Sequence, residues 1–311
     1  LEVVYRFSRI LFVVILSVVM GIVAPGFWQV TNALNILRQA SLVGILGIGQ
    51  TIVILTGGID LSVGTVATLA AIATTWMLER GGFPVWLTVI CGTLIGGAAG
   101  LGNGFMRAYI GLPPFVATYG TMWVAIGFAV VILGGYIIYG FEPGFRMLGI
   151  GRVLGVPTPI WVTAALAIVV WFLLRRTVFG RKVYATGANT ETARLSGIDV
   201  KKVITQAHIL CGLLAGFGGV IVAALLNSSE AGMADKMLLP SIAAVVVGGT
   251  SMRGGEGGIA GTLIGAVIMT LVVNAMNLLG VSSNWQQPVQ GFVILAAVLL
   301  DQWGRRRFRQ E

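Results

Sequence analysis

Long apolar runs alternate with short polar stretches along the whole chain. A helix needs about 20 mostly apolar residues to cross a bilayer, so runs of this length with few charges indicate membrane segments. We predict about ten of them, near residues 8–24, 40–57, 60–78, 85–106, 114–134, 158–174, 203–226, 238–250, 258–280 and 287–301. The pattern therefore predicts an all-α fold, a polytopic transmembrane helical bundle.

The composition requires lipid as the main solvent. Of the 311 residues, 57% are hydrophobic and only 10% are charged, and the mean hydropathy is +0.94. A soluble domain of this size has too little interior to hide so much apolar surface. We therefore predict a single transmembrane domain over residues 1–311, with the lipid bilayer as its surroundings.

The net charge of +9 is distributed as in membrane proteins rather than as in nucleic-acid-binding ones. Basic residues fall mainly in short loops and near the C-terminus, and no basic face is interleaved with aromatic side chains. With both termini cytoplasmic, five of the 20 Lys and Arg residues lie outside, namely Arg38, Arg80, Arg146, Arg152 and Lys236. This topology satisfies the positive-inside rule, and the inverted one violates it. We expect cytoplasmic termini and no nucleic-acid partner.

Glycine is unusually frequent, with 45 residues, and part of it is periodic. Two rows at four-residue spacing lie within apolar runs: Gly92, Gly96, Gly100 and Gly104, and Gly257, Gly261 and Gly265. Rows of glycine let two helix backbones approach closely, so both rows predict tight helix packing. Glycines also interrupt two short apolar segments, 50–67 and 247–261, and interrupted helices often mark transport pathways.

The sequence offers little for catalysis. It has one histidine and no serine-hydrolase, zinc-protease or nucleotide-binding motif, so we predict neither an enzyme nor a metal site nor a cofactor bound by this chain. His208 lies within an apolar run, where a proton relay and a simple hydrogen-bonded histidine are both open.

One carboxylate, Asp60, falls at predicted membrane depth. An ionised carboxylate there costs about 2.5–3.5 kcal/mol, so something must compensate it. One interpretation is that Asp60 and Ser62 cap the next helix by accepting from its free backbone N–H groups. The other is a role in gating or in the transport pathway.

The longest polar stretch between apolar runs covers residues 175–202 and is cytoplasmic by charge. Within it, Thr190 to Leu195 is predicted to form a short helix, with Asn189 or Thr190 as its N-cap and Gly197 as its end. Such a helix on the cytoplasmic face can dock in a groove of a partner. Composition alone favours an ordinary solvated loop.

This stretch belongs to a resemblance that covers nearly the whole chain. The sequence closely resembles permeases of bacterial ABC importers of the ribose, xylose and arabinose class. The resemblance rests on GQTIVILTGGIDLSVG (49–64), PPFVATYGTM (113–122), FGRKVYATGANTETARLSGIDVKKV (179–203), IAAVVVGGTSMRGGEGGIAGTLIGA (242–266) and LLGVSSNWQQPVQG (278–291). One departure, Met237 to Ser241, replaces an acidic residue that many relatives have before the Ile-Ala-Ala run, and it bears on the particular sugar rather than on the class.

The resemblance implies several partners and a location. They are a second permease copy or paralogue, a cytoplasmic ATP-binding cassette ATPase that holds ATP and Mg²⁺, and a periplasmic sugar-binding protein, all at the bacterial inner membrane. In similar permeases the loop after the sixth span forms the coupling helix, which corresponds here to Gly187 to Lys201. The residues predicted to couple to the ATPase are Gly187, Asn189, Glu191, Ala193, Arg194, Leu195, Ser196, Gly197 and Ile198.

The function expected from the resemblance is ATP-driven import of a monosaccharide such as ribose or xylose by alternating access. Polar residues in or beside spans are candidates for the pathway or its gate: Gln50, Asp60, Ser62, Asn103, Thr118, Asn274 and Asn277. An importer permease for a nucleoside, a branched-chain amino acid or a quorum-signal sugar stays open. An ion-coupled secondary transporter would instead need intramembrane acid pairs and no docking loop.

Overall fold

The structure is a computed structural model that describes residues 2–293 and 295–296. Its α-helices are α1 (Glu2–Val23), α2 (Val30–Leu55), α3 (Val63–Glu79), α4 (Val85–Phe105), α5 (Pro114–Leu133), α6 (Pro143–Ile150), α7 (Thr158–Arg176), α8 (Val178–Ala188), α9 (Thr190–Leu195), α10 (Val200–Leu226), α11 (Leu238–Val247) and α12 (Ile259–Leu278). The predicted helical bundle is therefore confirmed for this part of the chain.

Short elements complete the fold. Two small antiparallel sheets pair β1 (Ile138–Tyr139) with β4 (Ser228–Ser229) and β2 (Arg152–Val153) with β3 (Val156–Pro157). A π-helical turn, Met106–Ile110, prolongs α4, and 3₁₀ turns lie at Asp235–Met237 and Ser283–Trp285.

Six helices among the described residues are long and apolar enough to cross a membrane: α2, α4 with its π turn, α5, α7, α10 and α12. The protein is thus a multi-pass helical membrane protein, but the predicted count of about ten segments is not confirmed. Two further apolar stretches, Val13–Val23 and Val63–Glu79, are shorter. Of the predicted segment 287–301, residues 287–293 and 295–296 are described and helical, and its other residues and the C-terminal arginines lie outside the described part of the chain.

The predicted segment 238–250 contains a helix that is too short to cross the membrane on its own. The helix found there, α11, has ten residues, and at 1.5 Å per residue it rises about 15 Å, half of a hydrocarbon core of about 30 Å. The chain reaches it from the end of α10 through residues 227–237, which contain no α-helix. One passage through the bundle is therefore half helix and half irregular backbone.

The core lies where α2, α3 and α10 meet. Every residue of α2 from Gly44 to Leu55 is buried, and so are most of α3 and α10. By contrast, α4, α5 and α7 turn large apolar side chains outward along their length. An apolar outer surface of this extent is stable only against lipid or another protein, since soluble monomers rarely expose large apolar patches.

The first glycine row packs α4 tightly against another helix, as predicted, and the structure identifies that helix as α10. A β-carbon at Gly96 or Gly100 would collide with the carbonyl oxygen of Gly212 or His208, and one at Gly104 would lie 2.7 Å from the Cα of Thr205. In the second row, Gly265 lies against the backbone of Ala244 and Gly261 against Gly248, while Gly257 precedes the helix. Tight packing is confirmed for the first row and for two members of the second.

We expect Gly96→Ala to lower the free energy of unfolding by about 1–3 kcal/mol, because the added methyl group forces α4 and α10 apart. Gly102→Ala is the matched control, since Gly102 lies on the same helix with open space where its β-carbon would be. That change should be neutral or stabilising by about 0.5–1 kcal/mol, because alanine favours helix. Thermal unfolding in detergent measures both, and equal midpoints for the two variants would contradict the packing.

Candidate functional site

One end of the bundle holds α8 and α9, and local capping explains their bounds. Asn189 Oδ1 accepts from the backbone N–H of Thr192 at 2.9 Å, which satisfies a free donor at the start of α9. Gly197 then adopts a left-handed conformation, φ +80°, and donates to the carbonyl of Arg194 at 3.0 Å. The predicted helix Thr190–Leu195, its cap Asn189 and its end at Gly197 are confirmed.

The outer side of α9 combines a hydrophobic residue with an ion pair. The Leu195 side chain is 74% exposed. Beside it, the Arg194 guanidinium donates to both carboxylate oxygens of Glu191, at 3.0 Å and 2.5 Å. This hydrogen bond lowers the pKa of Glu191, so both groups are charged at neutral pH. A two-pronged ion pair next to an exposed leucine is a surface suited to a protein partner.

The inner side of α9 is anchored to the bundle. Ala193 is buried, and its carbonyl accepts from the backbone N–H of Ile198 at 3.1 Å. Ile198 is half-buried and packs against the main hydrophobic core. Ser196 caps the last turn with a hydroxyl bond to the carbonyl of Thr192, 2.9 Å. The inner face of α9 is therefore packed against the bundle, and its outer face is exposed.

The segment before α9 packs directly on two glycine-rich loops. A β-carbon at Gly187 would collide with the carbonyl oxygen of Leu55 at the end of α2, and one at Gly255 would lie 2.7 Å from the Cα of Ala188. The Gly255 N–H also donates to Leu55 O at 3.0 Å. Tyr184 adds a bond from its hydroxyl to Gly257 O, 2.9 Å. Three backbones thus meet without intervening side chains.

A buried polar cluster lies inward of these loops and is centred on Asp60. Its Oδ1 accepts from the backbone N–H and the hydroxyl of Ser62, at 2.9 Å and 2.6 Å, and its Oδ2 accepts from Asn103 Nδ2 at 3.1 Å. Thr121 donates to Asn103 Oδ1 at 2.5 Å. Gln50 donates to the backbone carbonyl of Asp60 and accepts from its N–H. The cluster ties α2, α4 and α5 to the loop before α3.

The hypothesis that Asp60 and Ser62 cap α3 with their side chains is wrong. Ser62 occupies the N-cap position, but its hydroxyl donates to Asp60 and accepts no bond from the helix. Asp60 instead accepts from the N–H two residues on, the bond of an Asx turn. The carboxylate is compensated by neutral donors from the loop and from α4.

Arg107, on the π turn after α4, is a residue that sequence reasoning missed. Its guanidinium donates to the hydroxyl of Thr56 at 2.9 Å and to the Thr56 carbonyl at 2.7 Å. The same group leaves no room for a side chain at Gly58. Arg107 therefore clamps the loop between α2 and α3. In the sequence it reads only as one of several basic residues at the end of an apolar run.

His208 and Thr118 lie near this cluster. His208 Nδ1 is 2.9 Å from the carbonyl of Ile204, while its Nε2 is buried without a hydrogen-bond partner among the described residues. The simple hydrogen-bonded interpretation thus holds for one ring nitrogen. Thr118 is buried and donates to the carbonyl of Pro114 at 2.8 Å, with Ile59 O at 3.5 Å.

Two pathway candidates lie elsewhere. Asn274 exchanges hydrogen bonds with Asn32, at 2.8 Å and 3.3 Å, and so joins α12 to the start of α2. Asn277 accepts from Gln286 Nε2 at 2.8 Å. The structure therefore brings Gln50, Asp60, Ser62 and Asn103 together and separates Asn274 and Asn277 from them. A pathway role for any of these residues stays a prediction.

The described residues contain no group of three or more His, Cys, Asp or Glu side chains placed to hold a metal ion.

Sequence reasoning also placed Lys236 in an outer loop and overlooked its neighbour Asp235. Thr68 on α3 donates to Asp235 Oδ1 at 2.7 Å, so this carboxylate lies against the bundle rather than in a loop outside it.

Comparisons with known proteins identify the family. Residues 32–298 match the family described as branched-chain amino acid transport system, permease component. The chain is 42% identical to the ribose import permease protein RbsC of Bacillus subtilis, over 92% of this chain and 89% of that protein. It is 36% identical to the D-allose transport system permease protein AlsC of Escherichia coli (95% and 91%) and 35% identical to the fructose import permease protein FrcC of Rhizobium meliloti (95% and 85%). The chain therefore belongs to the permease family of the branched-chain amino acid transport systems, together with these sugar import permeases.

Proposed function

We propose that this chain is the membrane-spanning permease subunit of an ATP-driven ABC importer that carries a monosaccharide such as ribose, xylose or a related sugar. The observation that carries the proposal is its identity of 35–42%, over at least 92% of the chain, with permeases for ribose, allose and fructose. The family description names branched-chain amino acids. The sugar permeases support the narrower choice, because their similarity extends over nearly their full length.

The ATPase subunit docks on α9. Its exposed Leu195 fits an apolar pocket of the partner, and the Glu191–Arg194 pair fixes the orientation of the docked helix. ATP and Mg²⁺ bind on that partner, since this chain carries no Walker A sequence. A periplasmic sugar-binding protein delivers the cargo at the opposite end, and a second permease copy or paralogue completes the pathway.

The packing supports a mechanism of alternating access. ATP binding closes the two ATPase subunits and displaces α9 together with Gly187. Because Gly187 lies directly against Leu55 and the Gly255 loop, these backbones must move with it. The movement passes through Thr56 to Arg107 and so to the end of α4, next to the Asp60 cluster. The permease then opens its central pathway to the other side.

The charge distribution supports a location in the bacterial inner membrane with the α8–α9 end in the cytoplasm. That end carries most of the basic residues of the described helices and loops: Arg107, Arg175, Arg176, Arg181, Lys182, Arg194, Lys201, Lys202 and Arg253. The opposite end has fewer, among them Arg80, Arg146 and Arg152. Positive residues favour the cytoplasmic side.

Uptake by right-side-out membrane vesicles or proteoliposomes that contain the complete transporter, with ATP inside and the sugar-binding protein outside, tests the cargo. We expect ATP-dependent uptake of one radiolabelled pentose or hexose, inhibited by an excess of the same unlabelled sugar. Leucine and a nucleoside, tested as competitors, should leave it unchanged, because selectivity rests on the binding protein that delivers the sugar. Uptake of leucine or of a nucleoside in place of any sugar would overturn the proposal.

A further inference from the structure

Residues 227–237 form the part of one passage through the bundle that contains no α-helix. This part ends at about half the depth of the bundle, where α11 begins. The helix α11 rises about 15 Å from Leu238 toward the α8–α9 end. On α3, Thr68 lies 11 residues before Glu79, which ends the helix on the side of the bundle opposite α8–α9. Thr68 is therefore about 16 Å from that end. Asp235 contacts Thr68 and directly precedes α11. Both helices therefore place Asp235 near the middle of a hydrocarbon core of about 30 Å.

The break is built into the bundle against α3. The Thr68 hydroxyl donates to Asp235 Oδ1 at 2.7 Å and accepts from the Ala234 N–H at 3.1 Å. Gly64 allows the close approach, since a β-carbon there would lie 3.0 Å from Ala234 O and 3.1 Å from the Cα of Asp235. The Asp235 side chain is half-buried, and no cation of the described residues lies within ion-pair distance of it.

Lys236 follows at the same depth and is exposed on the surface of the protomer. An ammonium group is strongly disfavoured against lipid at the centre of a bilayer. Irregular backbone is likewise tolerated at that depth only where protein buries it or water lines it. The outward face of α7 differs from the face that carries Lys236, because at mid-helix α7 exposes apolar side chains such as Ile168, which is 66% exposed. The face that carries Lys236 is therefore not turned toward lipid.

We propose that Asp235 and Lys236 line the aqueous pathway and form a transit site for the sugar, an assignment that rests on the proposed function. Adjacent hydroxyl groups of a monosaccharide donate to the carboxylate of Asp235 and accept from the ammonium of Lys236. A site halfway across the membrane, on a discontinuous helix, is where an alternating-access transporter holds its cargo between the two openings. Thr68 positions the carboxylate by its hydrogen bond.

Labelling of cysteine variants tests whether Lys236 borders water. Lys236→Cys in membranes should react with a charged, membrane-impermeant methanethiosulfonate, at least about tenfold faster than Ile168→Cys, because a thiol in lipid does not form the reactive thiolate. The parent chain, with its own Cys91 and Cys211, gives the background. Saturating sugar should slow the labelling. Labelling of Lys236→Cys at the rate of Ile168→Cys would overturn the inference.

Uptake by carboxylate variants tests the contact with the sugar. Asp235→Ala should lower the rate of uptake at subsaturating sugar by about tenfold, the expected effect of losing a hydrogen bond to a charged group. Asp235→Asn keeps the acceptor for Thr68 and should be less affected, while ATP hydrolysis by the complex continues in both. Unchanged uptake in Asp235→Ala would overturn the transit site. Absence of sugar uptake in the unmodified transporter would instead overturn the proposed function, whatever the labelling shows.

Discussion

Replacing Arg194 and Leu195 together by glutamate is expected to reduce ATP-driven sugar uptake at least about thirtyfold while the chain stays folded in the membrane. Truncating a central apolar anchor of an interface typically costs about 2 kcal/mol or more, which corresponds to this factor. The substitution also places three carboxylates within two turns of α9, since Glu191 is already there. The two side chains lie on the outer surface of α9, so their loss leaves the bundle core intact.

A matched control exists at the opposite end of the bundle. Arg152→Glu with Leu154→Glu makes the same chemical change in the β2–β3 hairpin, where Leu154 is 90% exposed. Co-purification of the ATPase with this control should stay close to that with the unmodified protein. ATP hydrolysis and co-purification of the ATPase, measured alongside, separate loss of docking from loss of coupling. Normal uptake by the α9 variant would remove this helix from the ATPase interface.

Asp60→Asn is expected to have the second large effect, lowering the free energy of unfolding by about 1–3 kcal/mol and uptake with it. Asp60 accepts from donors on both sides, namely Ser62 and the side-chain amide of Asn103. An asparagine at position 60 turns its own amide donor toward one of them, so two donors face each other in a buried site. Thermal unfolding in detergent and vesicle uptake measure the two consequences.

A second substitution distinguishes this mechanism from general damage. Asn103→Asp in the Asp60→Asn background restores an acceptor opposite the new donor and keeps the bond from Thr121. The double variant should recover a large part of the lost stability, whereas Asn103→Asp alone should be more destabilised than Asp60→Asn because two carboxylates then meet. Additive losses in the double variant would contradict the proposed hydrogen-bond arrangement, since independent sites add.

Features encoded by neighbouring residues were predictable from the sequence. The helix α9 has the predicted bounds because its signals are local, an asparagine that caps it and a glycine that ends it. The close packing of α4 against another helix followed from the spacing of glycines such as Gly96 and Gly100, since that spacing places them on one helix face, whereas the identity of the partner, α10, did not. In both cases the sequence signal lies within a few turns of chain.

Features that depend on distant residues were not predictable in the same way. Asp60 accepts a hydrogen bond from Asn103, 43 positions away, and Asn274 is hydrogen-bonded to Asn32, 242 positions away. The break before α11 was missed because the apolar run that contains α11 has the composition of a membrane span. Hydropathy alone does not show where a helix begins. Lys236 was consequently placed in an outer loop and Asp235 was overlooked, although Thr68 holds Asp235 against α3.

We propose that this chain moves a sugar through the membrane by the action of a separate ATPase that binds α9. The most direct measurement is uptake of a radiolabelled monosaccharide into vesicles that contain the co-purified complex, with ATP present or absent on the side of α9. We expect accumulation that requires ATP and that stops when the ATPase subunit is inactivated. Accumulation driven equally well by an ion gradient without ATP, or purification without any ATPase companion, would contradict it.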